Sequence, residues 1–294
     1  MSTTVDTIDS TNRRSGALDH ILYVLRSNPV TAAAFAMLVV ILLAAVFGPS
    51  LVPYDPLATN AAKALQPPSF EHWFGTDNLG RDVFSRVVVA TRLDLTISIA
   101  AVALSFVIGS ILGAVAGYWG GWIDAVLNRV LDTIMAFPLF VLAMGIVAAL
   151  GNTIENIIYA TAIINIPFYA RLVRAEVNIR REAGFALAAK LAGNSDLKVL
   201  AFHIFPNALP PMMVQVSLNL GWAILNAAGL SFIGLGVRPP TAEWGIMVAE
   251  GANFIVSGEW WLAVFPGLAL ILAVFTFNLL GDGLRDMVDP RRRT

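Results

Sequence analysis

Cysteine is absent from the 294 residues, which excludes disulfides, thiolate metal sites and thiol catalysis. Charge is scarce: Asp, Glu, Lys and Arg make up 13% of the chain, about half the share of an average soluble domain. The three histidines, His20, His72 and His203, are far apart and form no HExxH or other compact metal spacing. There is no GxxxxGK[ST] phosphate loop and no GxSxG. What is abundant is apolar surface, with 57% of residues hydrophobic. A water-soluble fold cannot hide that fraction, so the expected solvent is lipid. No cleavable signal peptide is expected, because the first thirty residues are polar and the first apolar run is long and lacks a clear small-residue cleavage site.

The apolar runs predict an all-α membrane protein with six transmembrane helices. Residues 1–28 read as a polar tail with a short amphipathic end. The first span is Thr31 to Val52, closed by Pro49 and Pro53. Residues 54–93 are mixed. In them Asp77 and Arg81, and Asp82 and Arg86, stand at i,i+4, the spacing of a short surface helix. The second span, Leu95 to Tyr118, carries Gly109, Gly113 and Gly117 on one face, open to close approach by another helix. Thr133 to Leu150 and Ile157 to Ala170 are the third and fourth spans, the latter with Pro167, where a kink or burial in protein is expected. The fifth runs from Pro211 to Ile233 and the sixth from Trp261 to Leu280. The divisions are therefore the tail 1–28, a first helix and extracytoplasmic segment 29–93, a five-helix core 94–284 and a tail 285–294. With both termini inside, fourteen of the 19 Lys and Arg fall on cytoplasmic segments, satisfying the positive-inside rule.

Between the fourth and fifth spans lies a basic island, Arg171 to Pro211. Glu182 to Ala192 is rich in helix formers, and Gly193 sits where a left-handed C-cap would end that helix. Ser195 and Asp196 are placed to cap a second helix. Ala186, Ala189 and Gly193 leave one side small, whereas Phe185 and Leu187 are larger apolar knobs. Such a helix fits a groove in a soluble partner, or lies on lipid headgroups.

The island resembles the EAA loop of membrane subunits of ATP-binding-cassette importers, specifically the dipeptide/oligopeptide/nickel permease family. The match covers Leu187, Ala188, Ala189 and Gly193, then His203, Ile204, Phe205, Pro206, Asn207, Ala208, Leu209, Pro210 and Pro211. It departs at Leu187, where the family places a glutamate. FGTDNLGRDVFSR (74–86), RVLDTIMAFP (129–138), LSFIGLGVRPPTAEWG (230–245) and NLLGDGLRDMVDPR (278–291) are similar to other family segments in the family's order. The resemblance implies a type I importer permease (MetI-like) fold of the "C" type with a cytoplasmic coupling helix. It implies a multi-pass subunit of a bacterial or archaeal plasma (inner) membrane that is not itself an enzyme. The implied partners are a homologous second permease, two cytoplasmic ATPases that use ATP and Mg, and an extracytoplasmic substrate-binding protein. The chain itself is expected to bind no cofactor, metal or nucleic acid. Phe185, Ala186, Leu187, Ala188, Ala189, Gly193, Asp196, His203, Pro206 and Asn207 are the implied ATPase-coupling residues. Short peptides lead as cargo, ahead of nickel chelates, opines and modified sugars.

Other candidates carry competing readings. Gln215, Asn219 and Asn226 on one face of the fifth span, with Asn165 in the fourth, fit a translocation path or ordinary interhelical hydrogen bonds. Arg129 and Asp132 fit a structural pair. Asp77, Arg81, Asp82, Arg86, Glu243 and Trp244 fit a binding-protein contact, an outer gate or a solvated surface. The rival functions are an ion-coupled secondary transporter, a membrane enzyme and a subunit with no transport role. The six predicted span interiors hold no Asp, Glu, Lys, Arg or His, which argues against proton coupling, and no buried carboxylate pair is expected.

Overall fold

The structure is a computed structural model describing residues 28–288; both tails, with the expectations attached to them, lie outside the described residues apart from the last helical turns. Regular structure among the described residues is helical, with one isolated antiparallel bridge between Thr76 and Asp82. Five helices are long and apolar enough to cross a membrane, and a sixth crossing requires a bent helix pair.

Helix α1 (Pro29–Leu51) starts where the Asn28 side chain accepts the Val30 and Thr31 amides, with Pro29 in the first turn. Inside it, Pro49 has no N–H to give the Ala45 carbonyl. That carbonyl is taken instead by Arg92 of helix α2, whose Nε donates at 2.8 Å while Nη2 donates to the Val46 carbonyl at 2.7 Å.

Helix α2 (Val83–Trp119) begins twelve residues before the predicted second span. Its 37 residues extend about 55 Å, well beyond the ~30 Å hydrocarbon layer. Asp82 starts it by accepting the Ser85 N–H at 2.8 Å. Further along, Gly109, Gly113 and Gly117 lie against Tyr169, Ala170 and Arg174 of helix α5, so closely that a Cβ at Gly117 would stand 2.6 Å from the Arg174 carbonyl. The glycine stripe read from the sequence is this helix contact.

The predicted third span is not one helix. Helix α3 (Gly121–Met135) and helix α4 (Leu139–Leu150) meet at 87°. Phe137 precedes Pro138, a position that disfavours helical backbone, and Pro138 has no N–H to continue the ladder. The 12 residues of α4 span only about 18 Å.

Helix α5 (Ile154–Arg180) runs unbroken through the buried Pro167 and ten residues past the predicted end. Arg171, Arg174 and Arg180 therefore belong to this helix rather than to a loop. Helix α6 (Gly184–Leu191) is short and ends before Gly193, whose φ is +83°. A helical turn (Asp196–Lys198) and a π-helical stretch (Val199–Ile204) lead into helix α7 (Phe205–Phe232), which starts six residues ahead of the predicted Pro211. Helix α8 (Trp244–Ala252) and helix α9 (Trp261–Val288) complete the chain. One core, running from Val83, Trp244 and Trp261 to Ala34, Phe277 and Leu280, ties α1, α2, α8 and α9 together along their length. Another, around Tyr118, Val177, Ala186, Ile204 and Met212, holds α6 to α2, α5 and α7.

Candidate functional site

At the α6 end, the small face of α6 turns inward. Ala186 is fully buried and Ala189 nearly so, packed in the core with Val173, Val177 and Ile204. The expected docking face is thus the anchoring face. What faces outward is an apolar ridge of Leu187 and Leu191, 49% and 89% exposed, with Ala188 beside it, while Phe185, 45% exposed, stands at the edge of the anchored face. Leu191 was not among the candidates, although its i,i+4 spacing from Leu187 was the available signal.

Asp196 is also reassigned. Its carboxylate accepts the Tyr118 hydroxyl at 2.5 Å and pairs with Lys190 at 3.3 Å, fastening the segment after α6 to the end of α2. Ser195 makes no side-chain cap, so the expected Ser195 cap is not formed. The Arg181 guanidinium reinforces this joint through the Gly117 and Tyr118 carbonyls at 3.2 and 3.3 Å. His203 is half-buried in the π-helical stretch, and its carbonyl accepts the Asn207 amide at 2.7 Å. Pro206 and Asn207 are exposed. Nearby, Asp132 pairs with Arg171 at 2.5 Å rather than with Arg129, while Asp124 accepts Arg174.

At the α8 end, Asp77, Arg81, Asp82 and Arg86 are buried and form no surface helix. Asp77 closes a turn, accepting the Leu79 and Arg81 amides at 2.9 Å and Arg81 Nε at 2.5 Å. Asp82 pairs not with Arg86 but with His72 at 2.8 Å, besides capping α2. Arg86 donates to the Pro56 and Pro240 carbonyls at 3.2 and 3.3 Å and lies 3.7 Å from Asp77, so it joins three loops. These four side chains turn inward, and Glu243 and Trp244 are buried too, so none of the six presents an exposed face.

Glu243 caps α8, accepting the Gly245 and Ile246 amides at 2.9 and 2.8 Å. Asp94 of α2 accepts the Trp244 amide at 3.2 Å, and the two carboxyl groups lie within hydrogen-bonding reach of each other. A hydrogen bond between two carboxyls requires a proton on one of them. Burial pushes the Glu243 carboxyl above the ordinary glutamate range. This overturns the expectation that no buried carboxylate pair exists. Asp94 fell one residue short of the predicted span, and its partner lies 149 residues on, so no local pattern joins them.

The candidate amides separate into two groups. Gln215 donates to Asn219 at 2.9 Å on α7, and both line a cleft with Asn278, Trp222 and Phe168. Asn226 and Asn165 do not line it; they donate to the Trp222 and Thr161 carbonyls of their own helices and are packed within the bundle. Asn278 and Phe168 were not candidates.

Residues 109–294 match the family described as "Binding-protein-dependent transport system inner membrane component", and residues 18–68 match "N-terminal TM domain of oligopeptide transport permease C". The chain is 44% identical over 271 residues to the probable D,D-dipeptide transport system permease protein DdpC of Escherichia coli K12, covering 92% of this chain and 91% of that one. It is 43% identical over 270 residues to the dipeptide transport system permease protein DppC of Alkalihalophilus pseudofirmus, covering 92% and 88%. It is 43% identical over 264 residues to the glutathione transport system permease protein GsiD of Escherichia coli O6:K15:H31, covering 89% and 86%. The chain belongs to the binding-protein-dependent transport system inner membrane component family, as a multi-pass permease subunit of an ATP-driven importer.

Proposed function

We propose that this permease imports short peptides and takes its energy through the outward ridge of α6. The observation that carries the coupling reading is the exposure of Leu187 and Leu191, flanked by Phe185, on a helix whose opposite face is fixed in the core. Three large apolar side chains on one short projecting helix suit a cleft in a partner protein, as in other helix-in-groove contacts. The partner in this reading is one of two cytoplasmic ATPases, which supply ATP and Mg chemistry. The α6 end then faces the cytoplasm and the α8 end the binding protein, an orientation supported by the clustering of Arg171, Arg174, Arg180, Arg181 and Lys190 near α6. A homologous second permease completes the path.

Peptide cargo rests on the relatives, whose descriptions name dipeptides, a D,D-dipeptide and glutathione. The test is reconstitution of the full complex in liposomes, with ATP hydrolysis followed as the binding protein is loaded with candidate ligands. Stimulation by a dipeptide or tripeptide is the expected outcome. Stimulation by a nickel chelate or an opine, with none by peptides, replaces the cargo assignment. For coupling, Leu187→Lys is expected to abolish transport while the two permeases still co-purify; normal transport by this variant refutes docking through the ridge.

A further inference from the structure

Where segments 56–57 and 240–242 meet helix α2, they leave a cleft of about 430 Å³, a volume in the range of small-ligand sites. Leu57, Leu93 and Pro240 give it apolar walls, and its polar side chains are Arg92, Thr96 and Thr241, all three exposed. The Thr96 hydroxyl is committed to the Arg92 carbonyl at 2.7 Å. The Arg92 guanidinium is planar, and its Nε and Nη2 share the edge that donates to the Ala45 and Val46 carbonyls of α1. Nη1 stands on the other edge and finds no acceptor among the described residues. Both carbonyls are neutral and no acid lines the cleft, so the positive charge has no counter-charge within it. Arg238, exposed on the loop that ends at Thr241, adds a second cation.

Arg92 precedes Leu95, where the apolar run of α2 begins, by about 4.5 Å along the axis. It therefore stands at the boundary between headgroups and hydrocarbon, where a long cationic side chain is stabilised by water or an anion. Inward from it, Thr96, Ile99, Ala103 and Val107 lie on one face of α2, and all four are exposed. This stripe is about 16 Å long, the depth of hydrocarbon in one leaflet.

We propose that the cleft is a phospholipid site, with the phosphate on Arg92 Nη1 and the Thr241 hydroxyl, and one acyl chain laid along Ile99, Ala103 and Val107. Phosphate fits the donors: the free guanidinium nitrogen presents two N–H groups and a fixed positive charge to oxygens that only accept. A phospholipid joins that anion at the boundary to a chain that covers the stripe, whereas an acidic loop of a protein partner brings the anion without the chain. With no carboxylate in the lining, an amine beyond the phosphate has nothing to pair with, so the site reads phosphate and is indifferent to the rest of the headgroup. The same guanidinium pegs α1 to α2, so the lipid completes that joint from its second edge.

The test uses the complex of both permeases and the ATPases, purified in mild detergent, as wild type, Arg92→Gln and Leu57→Trp. Leu57→Trp fills the cleft from an exposed position and leaves the α1 peg intact, so it decides alone if Arg92→Gln does not assemble. Native mass spectrometry reads the phospholipid that survives extensive washing. The wild type is expected to retain it, and each variant to lower its occupancy about tenfold, the scale of one lost charge-assisted hydrogen bond. In intact membranes, a benzophenone side chain installed at Thr241 is expected to cross-link to phospholipid. The proposal is overturned by a wild type that retains no lipid, by unchanged retention in either variant, or by inorganic phosphate in place of lipid. Cross-linking at Thr241 to the second permease or the binding protein overturns it as well.

Discussion

At the scale of single residues, the most informative position is Leu187. The resemblance put a glutamate there, and the structure turns the leucine outward beside Leu191, so the contact proposed for α6 is apolar. Leu187→Ala is expected to lower transport about tenfold through lost apolar burial, and Leu187→Glu to lower it further, measured as substrate uptake per ATP hydrolysed. Improved coupling in Leu187→Glu would restore the ionic reading. Gly193 is a different case. Its φ of +83° is strained for any L side chain by about 1–2 kcal/mol, although a Cβ there meets nothing within 4 Å. Gly193→Val is therefore expected to re-aim α6 without damaging the core, keeping membrane insertion but lowering coupled transport. Glu243 gives a pH dependence. Burial raises its pKa above the unfolded value, so the folded chain holds this proton to higher pH than the unfolded chain. Its contribution is complete below the ordinary glutamate range and is lost as pH rises through the folded value. Limited proteolysis around α8 is expected to slow in mild acid and quicken toward neutrality, and Asp94→Asn is expected to flatten that profile.

At the scale of elements, legibility followed locality. The glycine stripe Gly109, Gly113 and Gly117 was readable because its spacing is a property of one helix, and α5 lies against it. The α6–Gly193 break was readable for the same reason. The reversed face of α6 was not: alanines signal a small surface, but whether that surface meets a partner or the chain's own core depends on Val173, Val177 and Ile204. The third span failed because hydropathy averages across Pro138, while the backbone turns there by 87°. The ends of α2 and α5 failed because both helices continue past the apolar stretch, carrying Arg86, Asp94, Arg174 and Arg180, of which Arg86, Asp94 and Arg174 find partners on other segments and Arg180 on its own helix. Ala189→Leu tests the anchoring face directly. Overpacking of this site is expected to destabilise the α6 end by about 1–3 kcal/mol, read as a lower melting temperature of the purified complex.

At the scale of the whole molecule, one core runs along α1 and α9 and a second holds α6, with α2 contributing to both. Under the proposed coupling, a push on α6 would pass into α2 and α5, with Asp196, Arg181 and Tyr118 forming the first joint. The purified chain alone is expected to show no ATP hydrolysis, and hydrolysis in a preparation free of ATPase subunits would overturn the division of labour. Helix α1 stands apart from this path, exposing Val39, Val40 and Leu43. Besides its share of the core, α1 is held by the Arg92 guanidinium, inserted where Pro49 leaves a carbonyl free. That peg makes α1 a pointer geared to α2: a spin label or fluorophore at the exposed Val40 would register rotation of α2 during the transport cycle without touching the peg itself.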